Sequence, residues 1–312
     1  MNIFKRTIQN IDRFQRRHNW LGFPFAVVKK YGDDDAGYQA ALLTYYGFLA
    51  LFPLLLILTT IVTIIPGHSR DLQETIIDST TKYFPMLGTQ LSSHVHSIHK
   101  TGLPLVIGML FAFYGARGVA DAFQHGVNHI WQVPRAMRTT FPKSLLKSLA
   151  IIAVGGTGFM LASLISGFAA AAGRGFAFAA LSLVINVFIL FWLFLFLLQV
   201  CLPQHVTIKE TRAAAASAAI GLVILQVAGG YFLTRQLKSL DALYSYFAIA
   251  LGLLFWIYLQ AQIMYYSIEI AFVKSARLWP RGIEGDNPTA ADRVAQIRLA
   301  ARDKVAAPDV FA

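Results

Sequence analysis

The amino-acid sequence predicts an all-α, polytopic membrane protein with six transmembrane helices. Of its 312 residues 56% are hydrophobic and 14% are charged; the charged share is about half of that usual for a soluble domain. A soluble fold of this composition would expose too much apolar surface, which argues against a soluble enzyme, a disordered tail or a secreted disulfide scaffold. The single cysteine, Cys201, has no second cysteine with which to form an internal disulfide.

The first region, 1–35, is basic and is expected to be cytoplasmic. Its apolar residues recur at helical spacing, which predicts an amphipathic helix on the anionic inner leaflet. The alternative is a soluble helix that packs on cytoplasmic loops, but the aromatic stretch 20–25 suits a membrane interface. The start lacks the apolar core and the cleavage site of a signal peptide. The apolar residues of this helix are Ile3, Phe4, Ile8, Ile11 and Phe14.

Six apolar stretches form the expected transmembrane domain, 36–275. A spanning helix needs roughly 20 apolar residues to cross about 30 Å of hydrocarbon. The second stretch has an uncharged apolar run too short to span, so its helix must continue through Arg117 and Asp121 or else be re-entrant; an even number of crossings favours the spanning interpretation. The predicted spans are approximately 40–65, 103–123, 146–172, 180–202, 213–234 and 246–273.

The distribution of basic residues predicts the orientation in the membrane. Of the 27 Lys and Arg residues, 21 lie in the two terminal regions, in the loops that join the second to the third and the fourth to the fifth span, or at the adjoining ends of the second and third spans. Six lie in the opposite loops. Positive loops remain in the cytoplasm, so both termini are expected there, in a multi-pass protein of the bacterial inner membrane. The net charge of +11 is then explained by contact with anionic headgroups, without a nucleic-acid partner.

Three polar segments outside the spans are interpreted without any metal or cofactor. The outer loop, 66–102, is expected to contain a short amphipathic helix, and the ligand spacing of its histidines does not support a zinc site. The aspartates of 33–35 could bind a cation, but they are interpreted as a solvated turn that caps the first span. The tail, 276–312, is expected to be polar and cytoplasmic, with a helix near 288–305. The histidines of the outer loop are His94, His96 and His99.

Polar residues inside the spans define the candidate functional site. The first span runs outward while the second and the sixth run inward, so three helices bring polar groups to one depth near the cytoplasmic leaflet. This predicts a cytoplasm-facing polar cavity between these three spans, with Arg117 paired to Glu269 or Asp121. The alternative is a structural ion pair at the interface, with ordinary interfacial tyrosines. The candidate residues are Tyr45, Tyr46, Tyr114, Arg117, Asp121, Asn128, Gln262, Tyr266 and Glu269.

Proline and glycine residues within the spans are assigned to packing, and no catalytic motif is found. Pro53 is expected to kink the first span. Glycines allow close contact between helices, and those of the spans do not form a nucleotide-binding loop, because no Lys-Ser/Thr pair follows them. The glycines expected at helix contacts or kinks are Gly115, Gly118, Gly155 and Gly229.

Three runs of sequence resemble motifs of the YihY/BrkB family of bacterial inner-membrane proteins. They are 41–60, 111–135 and 253–272; the third keeps the family's glutamate at Glu269 but has Ser267 where a glycine is usual. The resemblance implies a six-helix membrane fold with no firmly assigned activity. The positions that match the family pattern are Tyr45, Tyr46, Pro53, Tyr114, Gly115, Gly118, Asn128, Trp131 and Glu269.

Two functions follow from these observations, and a third is disfavoured. The first is a transporter or flippase-like protein for a lipid or another amphipathic or anionic substrate, as a possible homodimer. The alternative is a non-catalytic scaffold for envelope integrity. Some members resembling this chain carry a ribonuclease label, but phosphodiester cleavage needs acids grouped around a metal ion, and the acids here are scattered. The chain is therefore not expected to be an enzyme.

Overall fold

The computed structural model describes residues 10–305 with gaps at 11, 65–102, 135–136, 139–141, 173–175, 237–241 and 284–287. The described residues contain no strand, which confirms the all-α class. The predicted outer-loop helix and its three histidines lie outside the described residues. From Asn19 onward, eight helices follow one another in the described part: α1 (Asn19–Asp33), α2 (Ala36–Ile64), α3 (Leu103–Ile130), α4 (Lys143–Ala172), α5 (Phe176–Cys201), α6 (Ile208–Gln236), α7 (Ala242–Ala276) and α8 (Ala290–Val305).

The long helices α2 to α7 coincide with the six predicted spans. Among the described residues, three stretches are long and apolar enough to cross a membrane: Ala180–Cys201, Ile208–Gly229 and Ala250–Ala276. They belong to α5, α6 and α7. A multi-pass helical membrane protein is therefore supported.

The six long helices pack in a closed circle. Each contacts the next in the chain, from α2 against α3 to α6 against α7, and α7 returns to pack on α2. The short α1 lies against α7 and α2. Small residues such as Ala215, Ala219 and Ala271 are fully buried in the core, and small side chains let membrane helices approach closely.

Glycines determine how closely several of these helices approach. A Cβ atom on Gly115 would lie 2.8 Å from the Cα of Ala50, and one on Gly118 would overlap the ring of Tyr46. The α2–α3 contact therefore needs both glycines. Gly229 lies in the same way against the indole of Trp256.

Gly155 corrects the packing prediction made for α4. A side chain at this position would meet open space among the described residues. The contact between α4 and α5 is made by Gly158, against which Leu193 packs. Pro53 lies within α2, but its side chain is outside the described part, so the predicted kink is not tested.

The two ends of the described chain contact each other. Residues 12–17 are helical, and Gln15 donates to the carbonyl of Arg281 at 2.5 Å while Asp12 accepts from the amide of Ile283 at 2.9 Å. These contacts favour the packing alternative for residues 12–17. The predicted tail helix is present as α8.

Candidate polar groove and buried ion cluster

A cluster of three charged side chains lies in the interior between α1, α3 and α7. Lys30 is 1% exposed, and Asp34 and Glu269 are 0% exposed. The ammonium of Lys30 donates to Asp34 Oδ2, to Glu269 Oε2 at 3.3 Å and to the carbonyl of Ile130 at 3.4 Å. It also lies 4.2 Å from the ring centroid of Phe272. All three donors of the ammonium are therefore used.

Local helix geometry brings these groups together. Lys30 and Asp34 are four residues apart at the end of α1, and such residues are neighbours on one helix face. Ile130 is the last residue of α3, and the last carbonyls of a helix have no partner within it. Glu269 and Phe272 lie one turn apart on α7 and face Lys30.

Asp34 corrects the interpretation of 33–35 as a solvated turn. Its side chain is buried against Lys30, and the side chain of Asp33 pairs with Arg281 at 2.7 Å. Of the three aspartates only Asp35 is exposed. Because α1 continues to Asp33, Asp34 lies one helical turn after Lys30, and its carboxylate faces the interior with the Lys30 ammonium.

A second feature is an open cleft of about 450 Å³ between α2 and α3. A smaller pocket of about 180 Å³ adjoins it and reaches Ser144 at the start of α4. The two share Asp121 and His125, so they form one polar groove along α3; from Tyr114 to Asn128 it is about 21 Å long. The residues lining the groove are Leu42, Tyr46, Tyr114, Arg117, Gly118, Asp121, Ala122, Gln124, His125, Asn128, Arg138 and Ser144.

The charges of the groove are half exposed, unlike those of the cluster. Arg117 Nε lies 3.4 Å from Asp121 Oδ2, and the two side chains are 47% and 44% exposed. Ser148 donates to the other oxygen of Asp121. An exposed pair of this kind contributes little to stability. The buried amide nitrogen of Gln124 has no partner among the described residues, which leaves an unused donor in the lining of the groove.

The structure separates the predicted site residues into two places. Tyr46, Tyr114, Arg117, Asp121 and Asn128 line the groove. The prediction allowed Asp121 or Glu269 as the partner of Arg117, and the structure places Arg117 against Asp121. The partner of Glu269 is Lys30 of α1.

The remaining predicted residues lie apart from the groove. Tyr266 stacks on Tyr31 with ring centroids 3.9 Å apart, and Gln262 lies beside the same phenol. Burial, followed by the neighbouring Tyr258, raises the pKa of Tyr31. Tyr45 is exposed and packs edge-on against Tyr46.

Sequence reasoning missed Lys30. It was counted only as one of the positive charges of the N-terminal region, although its spacing from Asp34 is that of a helical ion pair. That spacing could have predicted the pair. Nothing local in the sequence connects it to Glu269, which lies 239 positions later in the chain.

A third cluster attaches the tail to α1. Asp292, near the start of α8, accepts from Lys29 and from Arg281 Nε, each at 3.0 Å, and from the amides of Gly282 and Thr289. Burial by itself would raise the pKa of Asp292, but these hydrogen bonds and charges outweigh it and hold the pKa well below its usual range. Arg281 also reaches Asp33, so the tail is held on α1.

The described residues contain no group of three or more His, Cys, Asp or Glu side chains placed to hold a metal ion. The fold and the groove together define the class of the protein: a multi-pass helical membrane protein with a polar groove along one helix.

Comparison with known proteins identifies the family within this class. The family described as Virulence factor BrkB matches residues 27–290. The chain therefore belongs to this family, which confirms the YihY/BrkB resemblance of its three sequence runs.

Curated relatives are named only as membrane proteins. The chain is 23% identical over 277 residues to a UPF0761 membrane protein of Psychrobacter sp. (strain PRwf-1), covering 85% of this chain and 51% of the relative. It is 26% identical to one of Chromohalobacter salexigens over 78% of this chain and 61% of the relative. A third relative, from Alcanivorax borkumensis, is 25% identical over 84% of this chain and 62% of the relative. The chain thus spans about half to two thirds of the length of these relatives. No solved structure matches it.

Proposed function

We propose that this chain is a six-span protein of the bacterial inner membrane that moves a lipid or another amphipathic, anionic substrate along the groove of α3. The observation that carries the proposal is an open polar groove, about 21 Å long, on a helix whose neighbouring surface is apolar. Leu110, Phe111 and Phe113 are exposed beside it. A substrate with a polar head and apolar tails can place its head in such a groove while its tails remain in the hydrocarbon.

The charge of the groove supports an anionic headgroup. Arg117 is half exposed, and a guanidinium offers paired donors that match phosphate oxygens. Intramembrane charges are costly and generally mark a pathway or a binding site. Asp121 accepts hydrogen bonds from Ser148 and Arg117. It would hold the guanidinium in position until the headgroup of a substrate takes the place of Asp121 as the acceptor.

The contact between α1 and α8 supports an even number of crossings between them. Lys29 of α1 and Asp292 of α8 bond directly, so both regions lie on one side of the helices. The distribution of basic residues makes the cytoplasm the preferred side. A homodimer stays a prediction.

A second candidate function, a non-catalytic scaffold, is favoured by one observation. Glu269 is fully buried and bonded to Lys30, so the polar group of the sixth span is packed and does not open to a cavity. A scaffold needs a well-packed helix bundle and no pathway.

The test measures transbilayer movement of a fluorescent anionic phospholipid in liposomes that contain the purified protein. Loss of the arginine in Arg117→Ala is expected to slow movement at least about tenfold, because one charge-assisted hydrogen bond contributes about 1.5–3 kcal/mol. Arg212→Ala is the matched control, because Arg212 is an exposed arginine of α6 outside the groove. Movement that Arg117→Ala leaves unchanged would exclude the groove as the path. No movement of any lipid by folded wild-type protein would favour the scaffold.

A further inference from the structure

We propose that Lys30, Asp34 and Glu269 form a proton-binding site that holds one exchangeable proton on one of its two carboxyl groups. Both carboxylates contact the same ammonium in the interior. The ammonium carries one positive charge, so it compensates only one of two ionised carboxylates.

The charge of the cluster leads to the same conclusion. One ammonium and two carboxylates sum to −1, and an uncompensated charge in the interior costs several kcal/mol. A single proton makes the cluster neutral. The oxygen Oε1 of Glu269 is buried and accepts no hydrogen bond from any described residue, so it is the atom with room for that proton.

Lys30 is the cation that contacts both carboxylates of the cluster. His129 contacts the main-chain carbonyl of Asp34. Arg298 approaches the ring of Phe272 at 5.8 Å from its centroid, but its side chain is exposed and solvated. The titratable and charged groups that face the cluster are Tyr31 from α1, His129 from α3, Tyr258 and Tyr266 from α7, and Arg298 from α8.

Two imidazoles connect the cluster to the groove. His125 lines the groove, and its ring centroid lies 6.3 Å from that of His129 in a stacked arrangement. His129 Nε2 lies 3.0 Å from the carbonyl of Asp34. The two side chains therefore lie between the groove and the cluster.

The test reads the proton directly, by infrared difference spectroscopy of the purified protein in detergent. A protonated carboxyl group has a carbonyl stretching band that the carboxylate lacks. Wild-type protein at neutral pH is expected to show one such band, which is lost as the pH is raised. Glu269→Gln is expected to remove it, because the remaining Lys30 and Asp34 are already neutral as a pair. Asp34→Asn is also expected to remove the band, because the remaining Lys30 and Glu269 are neutral as a pair. This variant provides the test if Glu269→Gln fails to fold.

A matched control separates this site from other acids. Glu210→Gln removes a carboxylate that bonds Thr207 at the start of α6, and the band is expected to persist. A band that survives both cluster variants, or no band in wild-type protein at any pH, would overturn the proposal. Loss of the band on addition of Na⁺ would overturn the proposal, because the cluster would then bind a metal cation. No lipid is present, so failure of the groove proposal would leave this result unaffected.

Discussion

Replacing Lys30 with methionine tests how the buried cluster is held together. Methionine keeps the apolar stem of the side chain but removes the ammonium and its three hydrogen bonds, to Asp34, Glu269 and the carbonyl of Ile130. Removing one partner of a buried ion pair costs about 3–5 kcal/mol, because the other charge is left uncompensated. We therefore expect Lys30→Met to lower the free energy of unfolding by about this amount.

The assay is denaturant-induced unfolding in detergent micelles, followed by far-ultraviolet circular dichroism. Lys29→Met is the matched control: Lys29 is the neighbouring residue, its side chain is 26% exposed and it pairs with Asp292. Its loss is expected to cost about 1 kcal/mol or less. The double variant Lys30→Met/Asp34→Asn removes both members of the pair and is expected to recover most of the loss.

Two results would refute this reasoning. A loss below about 1 kcal/mol for Lys30→Met would mean that the cluster is not held by charge compensation. A double variant no more stable than Lys30→Met would mean that Glu269 remains charged in the interior.

Two further predictions concern helix packing and the tail. Gly118→Ala is expected to lower the free energy of unfolding by about 1–3 kcal/mol, because the added methyl group would overlap the ring of Tyr46. Gly155→Ala is expected to raise it by up to about 1 kcal/mol, because its methyl group meets open space. Equal shifts for the two variants in the same unfolding assay would contradict this prediction. Asp292→Asn is expected to speed hydrogen exchange of α8, because it removes the bonds to Lys29 and Arg281. The pKa of Asp292 lies below its usual range, so its contribution is present above about pH 4 and is lost as the pH falls through the folded-state value. Exchange of α8 that does not respond to acid in wild-type protein would contradict the last prediction.

Helix positions were predicted well from the sequence because hydrophobicity is a local property. Each of the six apolar stretches became a long helix, and the polar stretch near 288–305 became α8. The helix α1 was not predicted as such, because its stretch was interpreted as an interfacial aromatic segment. Its aromatic residues Trp20 and Phe23 lie on a helix that continues to Asp33.

The candidate site was predicted only in part, for a physical reason. Arg117 and Asp121 are one helical turn apart, so their pairing could be predicted from spacing. The direction of its span predicts a depth for Glu269 in the membrane, which stays a prediction. The partner of Glu269 depends on which cation of α1 lies against α7. That choice is made by the packing of α1 against α7.

The sequence by itself determined the helical class, the approximate bounds of six long helices and the family. These follow from the length of apolar runs and from motifs within single helices. Only the tertiary structure decided that Lys30 contacts Glu269, that Gly118 rather than Gly155 lies at a helix contact, and that the groove follows α3. These are contacts between distant parts of the chain, and the rotation of each helix about its axis, which selects the facing residues, is determined by packing alone.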